Sequence, residues 1–497
     1  MRFPTRAIAI LLGAPLYGVF AASAQYSAPA TPAPYNPIAL ADVTGAPRTA
    51  VQAGQKSYQS LAQNPNLGGV PAGNLSTTPI ELSLEEAVTR GLKQNLGGVL
   101  ASDAVTDAQG QRWQALSELL PNVVTDTGFG VHQVNVKAAF GITIPGQPPI
   151  IGPFGYFDAR AYLTQSVFDW ASIERARASR AQVKSAEFSS RDVRELVVLV
   201  VVSNYLLVIA DQSEVESALS QRDTAKTLLQ QASDQKTAGL ASAVDVLRSQ
   251  VQLQSREQKL IVSRNDLAKQ KLVLSRAIGL PPGQQFEATT HIPYQELTPS
   301  SLDETIQSAY KARPDLQSQI NRVQSAELAR KAASAERYPT LGAETDYGLS
   351  GVTPGSSHGT VDAAATLRIP IFQGGRVHGD VLRADAALTE EKQRLDDLRA
   401  KIDQEVRDAF LDLEATSQEV SVEKSAVTLA TQTLEQSRDR FTSGVTDDVE
   451  VVQAQDALAI ATDAYIASLY SYNLAKISLA RASGVAETRY AEYLRGN

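Results

Sequence analysis

The chain has 497 residues, with 46 Lys and Arg against 54 Asp and Glu, a formal net charge of −8 and no cysteine. The missing cysteine excludes disulfides, thiolate metal sites and any lipid anchored through cysteine, and an acidic balance without a dense Lys/Arg block disfavours nucleic acid as a partner. The four histidines, His132, His291, His358 and His378, show no ligand spacing, so no metal and no cofactor is expected.

Residues 1–24 place Arg2 and Arg6 before an apolar stretch from Ala7 to about Val19 and a small-residue Ala22-Ser23-Ala24. That is the layout of a cleaved secretory signal peptide, too short to span a bilayer comfortably. Removing the two arginines takes the net charge from −8 to −10. Residues 25–80 are rich in Pro, Ala and Gly with no sustained period, which predicts an extended or disordered leader.

From 81 the texture turns helical. Leu84, Ala87, Val88, Leu92, Leu96 and Val99 mark one face, Ser83 with Glu86 resembles a capping box, and Pro121 closes the helix. An echo starts at Ser301, with Leu302 opposite Leu84 and Pro339 opposite Pro121, an offset of 218. After each proline the period becomes two: Val123, Thr125, Thr127, Phe129 and Val131 share one face, as do Leu341, Ala343, Thr345, Tyr347 and Leu349. A turn region follows each run, at 145–156 and 351–359, and then a second alternating run carries Ala159, Ala161, Leu163 and Val167, or Val361, Ala363, Ala365, Leu367, Ile369 and Ile371. Each half therefore predicts one hairpin of about ten residues per strand.

Next come Ala171–Ala238 and Gly374–Ser443, proline-free and nearly glycine-free. Either could form a helix of about 100 Å. Val406, Leu413, Val420, Val427, Leu434 and Phe441 recur every seventh residue, a seam too thin for a closed bundle and suited to a helical wall with water on one side. The run Leu196–Ile209 is short and interrupted by Ser203-Asn204, so it predicts a buried core helix rather than a membrane span.

Each long segment ends at a glycine tip, QKTAGLASAVDVLRSQ at 235–250 and RFTSGVTDDVEVVQAQ at 440–455. The two align on Gly239 and Gly444 at an offset of 205. A glycine that ends one helix, a polar spacer and an acidic first turn read as a helical hairpin tip. Return helices run to Gly279 and Gly484, again 205 apart. The expected organisation is 1–24 signal peptide, 25–80 leader, 81–283 first unit, 284–296 connector, 297–486 second unit and 487–497 tail.

Four strands of nine to eleven residues with one apolar face match the dimensions of a membrane-spanning β-strand. Open sheet edges cannot stand in hydrocarbon, so closure needs several chains; two would give eight strands and three twelve. Soluble hairpins capping a helical protein are the alternative on alternation alone.

The order helix, proline, hairpin, very long helix, glycine tip, return helix, twice over, resembles the TolC-type outer membrane efflux protein family. So do LSLEEAV at 82–88, LTQSVFDW at 163–170 with its echo LRIPIFQGG at 367–375, and AGLASAVDVLRSQ at 238–250. The resemblance covers about 81–486. It implies an α+β membrane protein of two tandem repeats: a homotrimer whose twelve strands, four per chain, form one transmembrane β-barrel in the outer membrane, above a long α-helical coiled-coil periplasmic tunnel.

The implied function is a passive exit duct of a tripartite efflux or type I secretion system, coupled by a periplasmic adaptor to an inner-membrane transporter. No phosphate loop, HExxH or nucleophile elbow is present, so no enzyme is expected. A rival is an exported coiled-coil structural or adhesive protein without a channel.

The resemblance assigns adaptor contact to Ala238, Gly239, Leu240, Ser242, Ser443, Gly444, Val445 and Thr446, although the glycines also cap helices. It assigns the gate to Glu450, with Asp245 matching an acidic partner near the first tip. Here the sequence departs from the family: the second gate position is the neutral Gln453, and the expected arginine is Thr446. Asp447 and Asp448 either supply an acidic ring instead or favour the helix start. Loops 137–156 and 351–360 are assigned to the extracellular side.

Overall fold

A computed structural model describes residues 68–143, 145–146, 148–239, 242–290, 294–443, 445 and 448–495. The expected signal peptide and most of the leader lie outside the described residues. The element order is β1 (Ile80–Leu82), α1 (Leu84–Gln94), α2 (Leu96–Ser117), β2 (Asn122–Asn135), α3 (Val136–Phe140), β3 (Ile150–Phe168), α4 (Trp170–Thr237) and α5 (Ala243–Ala277). Then come β4 (Phe286–Ala288), α6 (Leu302–Ala312), α7 (Pro314–Ala335), β5 (Thr340–Gly351), β6 (His358–Arg368), α8 (Arg376–Thr442), α9 (Asp448–Ala482) and α10 (Ala486–Arg495).

The two long helices organise everything else. α4 has 68 residues and α8 has 67, about 100 Å each at 1.5 Å per residue. Towards the tips α4 lies between α5 and α9, and α9 lies between α4 and α8; towards the sheet α4 lies between α2 and α7, and α7 between α4 and α8. The result is a wall of helices. The seven-residue seam faces into it: Val406, Leu413, Val420 and Leu434 are buried, as is the small Ala409. The apolar run in α4 is core, with Val197, Val198, Val201, Val202, Tyr205 and Val208 at 0–1% exposure against Leu82, Leu274, Ile477 and Leu494 of other elements. Burying such side chains contributes roughly 1.5–3 kcal/mol each. That explains why α4 is long and apolar enough to cross a membrane by composition, yet has 67% of its apolar window inside the protein.

The helix expected to run unbroken to Pro121 is broken at Asn95, and its echo is broken at Arg313. The two breaks are 218 residues apart, the offset of the surrounding pattern. At each, a return helix meets the start of a short helix end to end, leaving carbonyls and N–H groups without intrahelical partners. Asn95 serves both ends: its Oδ1 accepts from Gly97 N at 3.0 Å and its Nδ2 donates to Ala277 O at 3.1 Å. Arg313 Nη1 donates to Ala482 O at 3.3 Å. Ala277 and Ala482 are themselves 205 residues apart. Beside them Gly279 (φ +63°) and Gly484 (φ +73°) end the return helices in the left-handed region, and a Cβ on Gly484 would stand 2.8 Å from Arg313 Cα. The described end of the leader docks on the first joint, where Val70 N donates to Gln94 O at 2.7 Å and Leu96 N donates to Gly68 O at 3.0 Å. The tail packs as α10, with Ala486 and Leu494 buried.

The four long strands form one antiparallel sheet in the order β2-β3-β5-β6. They are longer than the ten residues expected, with 14, 19, 12 and 11. The turn region at 145–156 is largely strand, because β3 begins at Ile150, and the short α3 lies before it. Within the strands the register puts the expected apolar sets on one face: Thr125 pairs with Ala161, Ala161 with Tyr347, and Tyr347 with Val361. Ile369 and Ile371 fall beyond β6, which ends at Arg368, and Val167 sits at the irregularity between Ser166 and Phe168. The other face is polar, and across it Arg160 pairs with Asp346 and bonds Thr360 Oγ1 at 2.9 Å.

Candidate docking and gating tip

At the far end of the wall from the sheet, two hairpins turn: α4 into α5, and α8 into α9. The first turn closes because Ala238 N donates to Asp234 O and Gly239 N to Lys236 O, both at 3.0 Å, with Gly239 at φ +76°. In the second, Ser443 N donates to Asp439 O at 3.0 Å, and Val445 N reaches five residues back to Arg440 O at 2.9 Å, the long-reach bond of a Schellman cap. Ala238, Gly239, Ser242, Ser443 and Val445 are all exposed. Leu240, Gly444, Thr446 and Asp447 lie outside the described residues, and Asp448 is the first residue of α9.

The aligned acids Asp245 and Glu450 do different work. Asp245 completes a capping box: Ser242 N donates to its Oδ2 at 2.8 Å, and its own N–H donates to Ser242 Oγ at 3.3 Å. These bonds from Ser242, with a smaller contribution from Arg248, hold the Asp245 carboxyl below the usual carboxylate range. The position equivalent to Ser242 in the second tip is Asp447, which offers no hydroxyl. Glu450 instead reaches across its hairpin: Arg440 Nη2 lies 3.6 Å from Glu450 Oε2, and Ser437 Oγ donates to Oε1 at 3.4 Å. The acid that the resemblance assigns to the gate thus has Arg440 and Ser437 of its own hairpin as partners.

A folded-state pKa below the unfolded value gives stability that is full above about pH 4 and is lost as pH falls through the depressed value. The first tip should therefore fray on acidification, and Ser242→Ala, removing the cap, should cost about 1 kcal/mol there. Hydrogen exchange of 239–250, corrected for the intrinsic pH dependence of exchange, reads both effects; identical protection in Ser242→Ala and wild type refutes the cap's contribution.

Between the hairpins runs a groove of about 620 Å³, lined on the α4 side by Thr224, Leu228 and Gln231 and on the α8 side by Arg438, Phe441 and Thr442. Its apolar floor continues into a small core of Leu434, Val451 and Ala454. Polar rungs tie α5 to α9: Gln252 donates to Asp456 at 2.8 Å, Arg256 pairs with Asp456, and Lys259 lies 3.1 Å from Asp463. Val244, Leu247 and Val251 stand 59–66% exposed on α5, and Val445 stands 68% exposed at the second turn. Sequence reasoning named Val445 but missed the α5 stripe, whose i, i+3, i+7 spacing was readable. It also missed Arg440, which with Glu450 sits symmetrically about the second turn.

A family model described as outer membrane efflux protein matches residues 101–280 and 305–485. The chain is 22% identical over 347 residues to the alkaline protease secretion protein AprF of Pseudomonas aeruginosa, covering 67% of this chain and 71% of that one. It is also 22% identical over 347 residues to the outer membrane protein TolC of Escherichia coli, covering 66% and 69%. Its fold matches the crystal structure of the Campylobacter jejuni CmeC outer membrane channel with a TM-score of 0.71 at 16% identity, over 85% of this chain and 92% of that one.

Proposed function

We propose a function that proceeds from one fact: this chain belongs to the outer membrane efflux protein family. Three copies join into a trimer, with one barrel of twelve strands in the outer membrane and one helical tunnel in the periplasm. The trimer is a passive, non-catalytic exit duct of a tripartite efflux or secretion system. The observation that carries this reading is the sheet itself. Its apolar face runs across four strands, while β2 and β6 each have one edge without a strand partner among the described residues. A lipid-facing sheet with two open edges is tolerable in hydrocarbon only if neighbouring copies pair with them.

The helical wall has matching unfinished sides. Leu382, Leu411, Val422 and Leu429 are exposed on α8, and Ile261 and Leu272 on α5, where adjacent copies would cover them. The tips, with the groove between them and the exposed Val244, Leu247 and Val445, suit an adaptor's helical hairpin coupled to an inner-membrane transporter. Polypeptide and small-molecule cargo both fit a duct of this kind; AprF is a secretion protein for a protease by its name.

At the tip end, Glu450 and Asp448 with Asp447 would make a threefold acidic constriction favouring cations. In a planar bilayer the purified trimer should conduct. Exchanging Glu450, Asp447 and Asp448 for their amides should lower the cation-to-anion permeability ratio by roughly threefold or more; an unchanged ratio removes these residues from the gate. A protein that leaves the membrane without detergent and shows no conductance would instead be the exported structural protein.

A further inference from the structure

The first hairpin rises well past the second. Pairing of β3 with β5 ends at Phe157 and Gly351, and pairing of β5 with β6 ends at Ser350 and His358. β3 continues for Ile150–Tyr156 with β2 as its one strand partner among the described residues, up to Asn135 and Ile150. The 11 residues of β6 already span about 36 Å, or about 28 Å along the membrane normal at a tilt of about 40°, enough for an apolar band of about 25 Å. The extra part of the first hairpin therefore stands outside the hydrocarbon, rising about 18 Å further.

Its composition is unsuited to standing alone in water. From Gly130 to Tyr156 the only formal charge is Lys137. Val131, Ile142, Ile150 and Phe154 are 66%, 55%, 47% and 37% exposed. A free two-stranded ribbon is marginal in water, and no strand of the second hairpin reaches high enough to flank it. Below the irregularity at His132/Val134 the register is unbroken, so Tyr156 and Phe154 continue the face that carries Asp158 and Arg160, the polar face of the sheet. His132, opposite Phe154, joins them: its ring lies 5.4 Å from Tyr156, edge-on, and 6.5 Å from Phe154. An aromatic cluster thus tops the water-filled side of the barrel wall.

We propose that the arms of the assembled chains fold against one another over the outer mouth, so that the His132, Phe154 and Tyr156 faces of different copies meet and narrow the exit to an apolar aperture. The occupant of each exposed arm is a second copy, because the arm continues the sheet whose edges other copies are proposed to complete. This rests on the trimer proposed above.

Because the natural chain has no cysteine, Ile142→Cys and Phe154→Cys can be made singly in the full-length protein in lipid nanodiscs. A short bismaleimide should join two chains within each trimer at both positions. Conductance of a Phe154→Ser, Ile142→Ser double variant should rise about twofold as the apolar constriction is wetted. A trimer of unchanged mass by light scattering with no cross-link overturns the proposal, as does quenching of a fluorophore at residue 142 by brominated lipid, which would place the arm on the membrane. Loss of the trimer in wild-type protein would be failure of the assembly reading instead, and light scattering alone reports it.

Discussion

Arg313→Leu is expected to lower the stability of the folded chain by about 3–5 kcal/mol, the usual cost of removing one partner from a buried ion pair. The Arg313 side chain is 3% exposed. It lies 2.6 Å from both Asp315 and Glu405, and donates to Ala482 O, so one guanidinium ties the start of α7, the middle of α8 and the end of α9. Arg481 bonds Asp192 at 2.5 Å beside it. Burial disfavours the charge on Arg313, but Asp315 and Glu405 outweigh that and raise its pKa further; burial raises the Asp192 carboxyl in spite of Arg481. Leucine would remove the guanidinium between Asp315 and Glu405, leaving Glu405 only the more distant Lys401 at 3.7 Å, and would leave the Ala482 carbonyl at the end of α9 without its donor. Because charge imbalance rather than lost volume is the cause, Arg313→Met combined with Asp315→Asn and Glu405→Gln should recover most of the loss. Urea titration of the three proteins followed by tryptophan fluorescence decides it. A single variant within about 1 kcal/mol of wild type would show that the cluster is not what holds the joint.

That joint also marks the limit of what the sequence revealed. The two hairpin tips, the long helices and the apolar sets of all four strands were readable because each rests on periodicity or on a glycine, which are local signals. The break at Asn95 was not, and the one at Arg313 was missed although Pro314 marks it, since a proline disfavours helical backbone in the residue before it and suits the first helical position. The apolar positions Leu92, Leu96 and Val99 keep a helical spacing straight through the first break, and only the tertiary meeting with Ala277 explains why the backbone leaves the helix there. Strand lengths were underestimated for a related reason: the glycines and prolines of 145–156 read as a turn, whereas β2 supplies partners to β3 up to Ile150. At the tips, aligning Asp245 with Glu450 was right as arithmetic, yet it could not tell a capping carboxylate from one that crosses its hairpin. The difference lies in Ser242 against Asp447, and in Arg440, which the fold alone brings alongside.

The second large effect is expected in the sheet, where Gly348→Val should reduce the folded protein recovered from the outer membrane at least tenfold. Gly348 pairs with Arg160 on one side and Thr360 on the other. Arg160 reaches Thr360 at 2.9 Å and pairs with Asp346 only by lying across β5 at this glycine, which leaves its side chain 12% exposed. A Cβ on Gly348 would stand 2.7 Å from Ala159 O and 2.8 Å from Arg160 Cα, contacts with backbone that no rotamer change relieves. Valine must therefore push β3 and β5 apart and lift Arg160 away from Asp346, Asp158 and Asp362. Overpacking costs about 1–3 kcal/mol, and like charges left on neighbouring strands add to it. Arg160→Ala separates the two causes, since it removes the cation but leaves the backbone approach intact, and its loss should be smaller. Heat-modifiable migration of outer membrane samples measures both variants. A wild-type yield of folded Gly348→Val protein would mean that β3 and β5 do not approach as closely as the register requires, and equal losses in the two variants would assign the whole effect to the charge of Arg160.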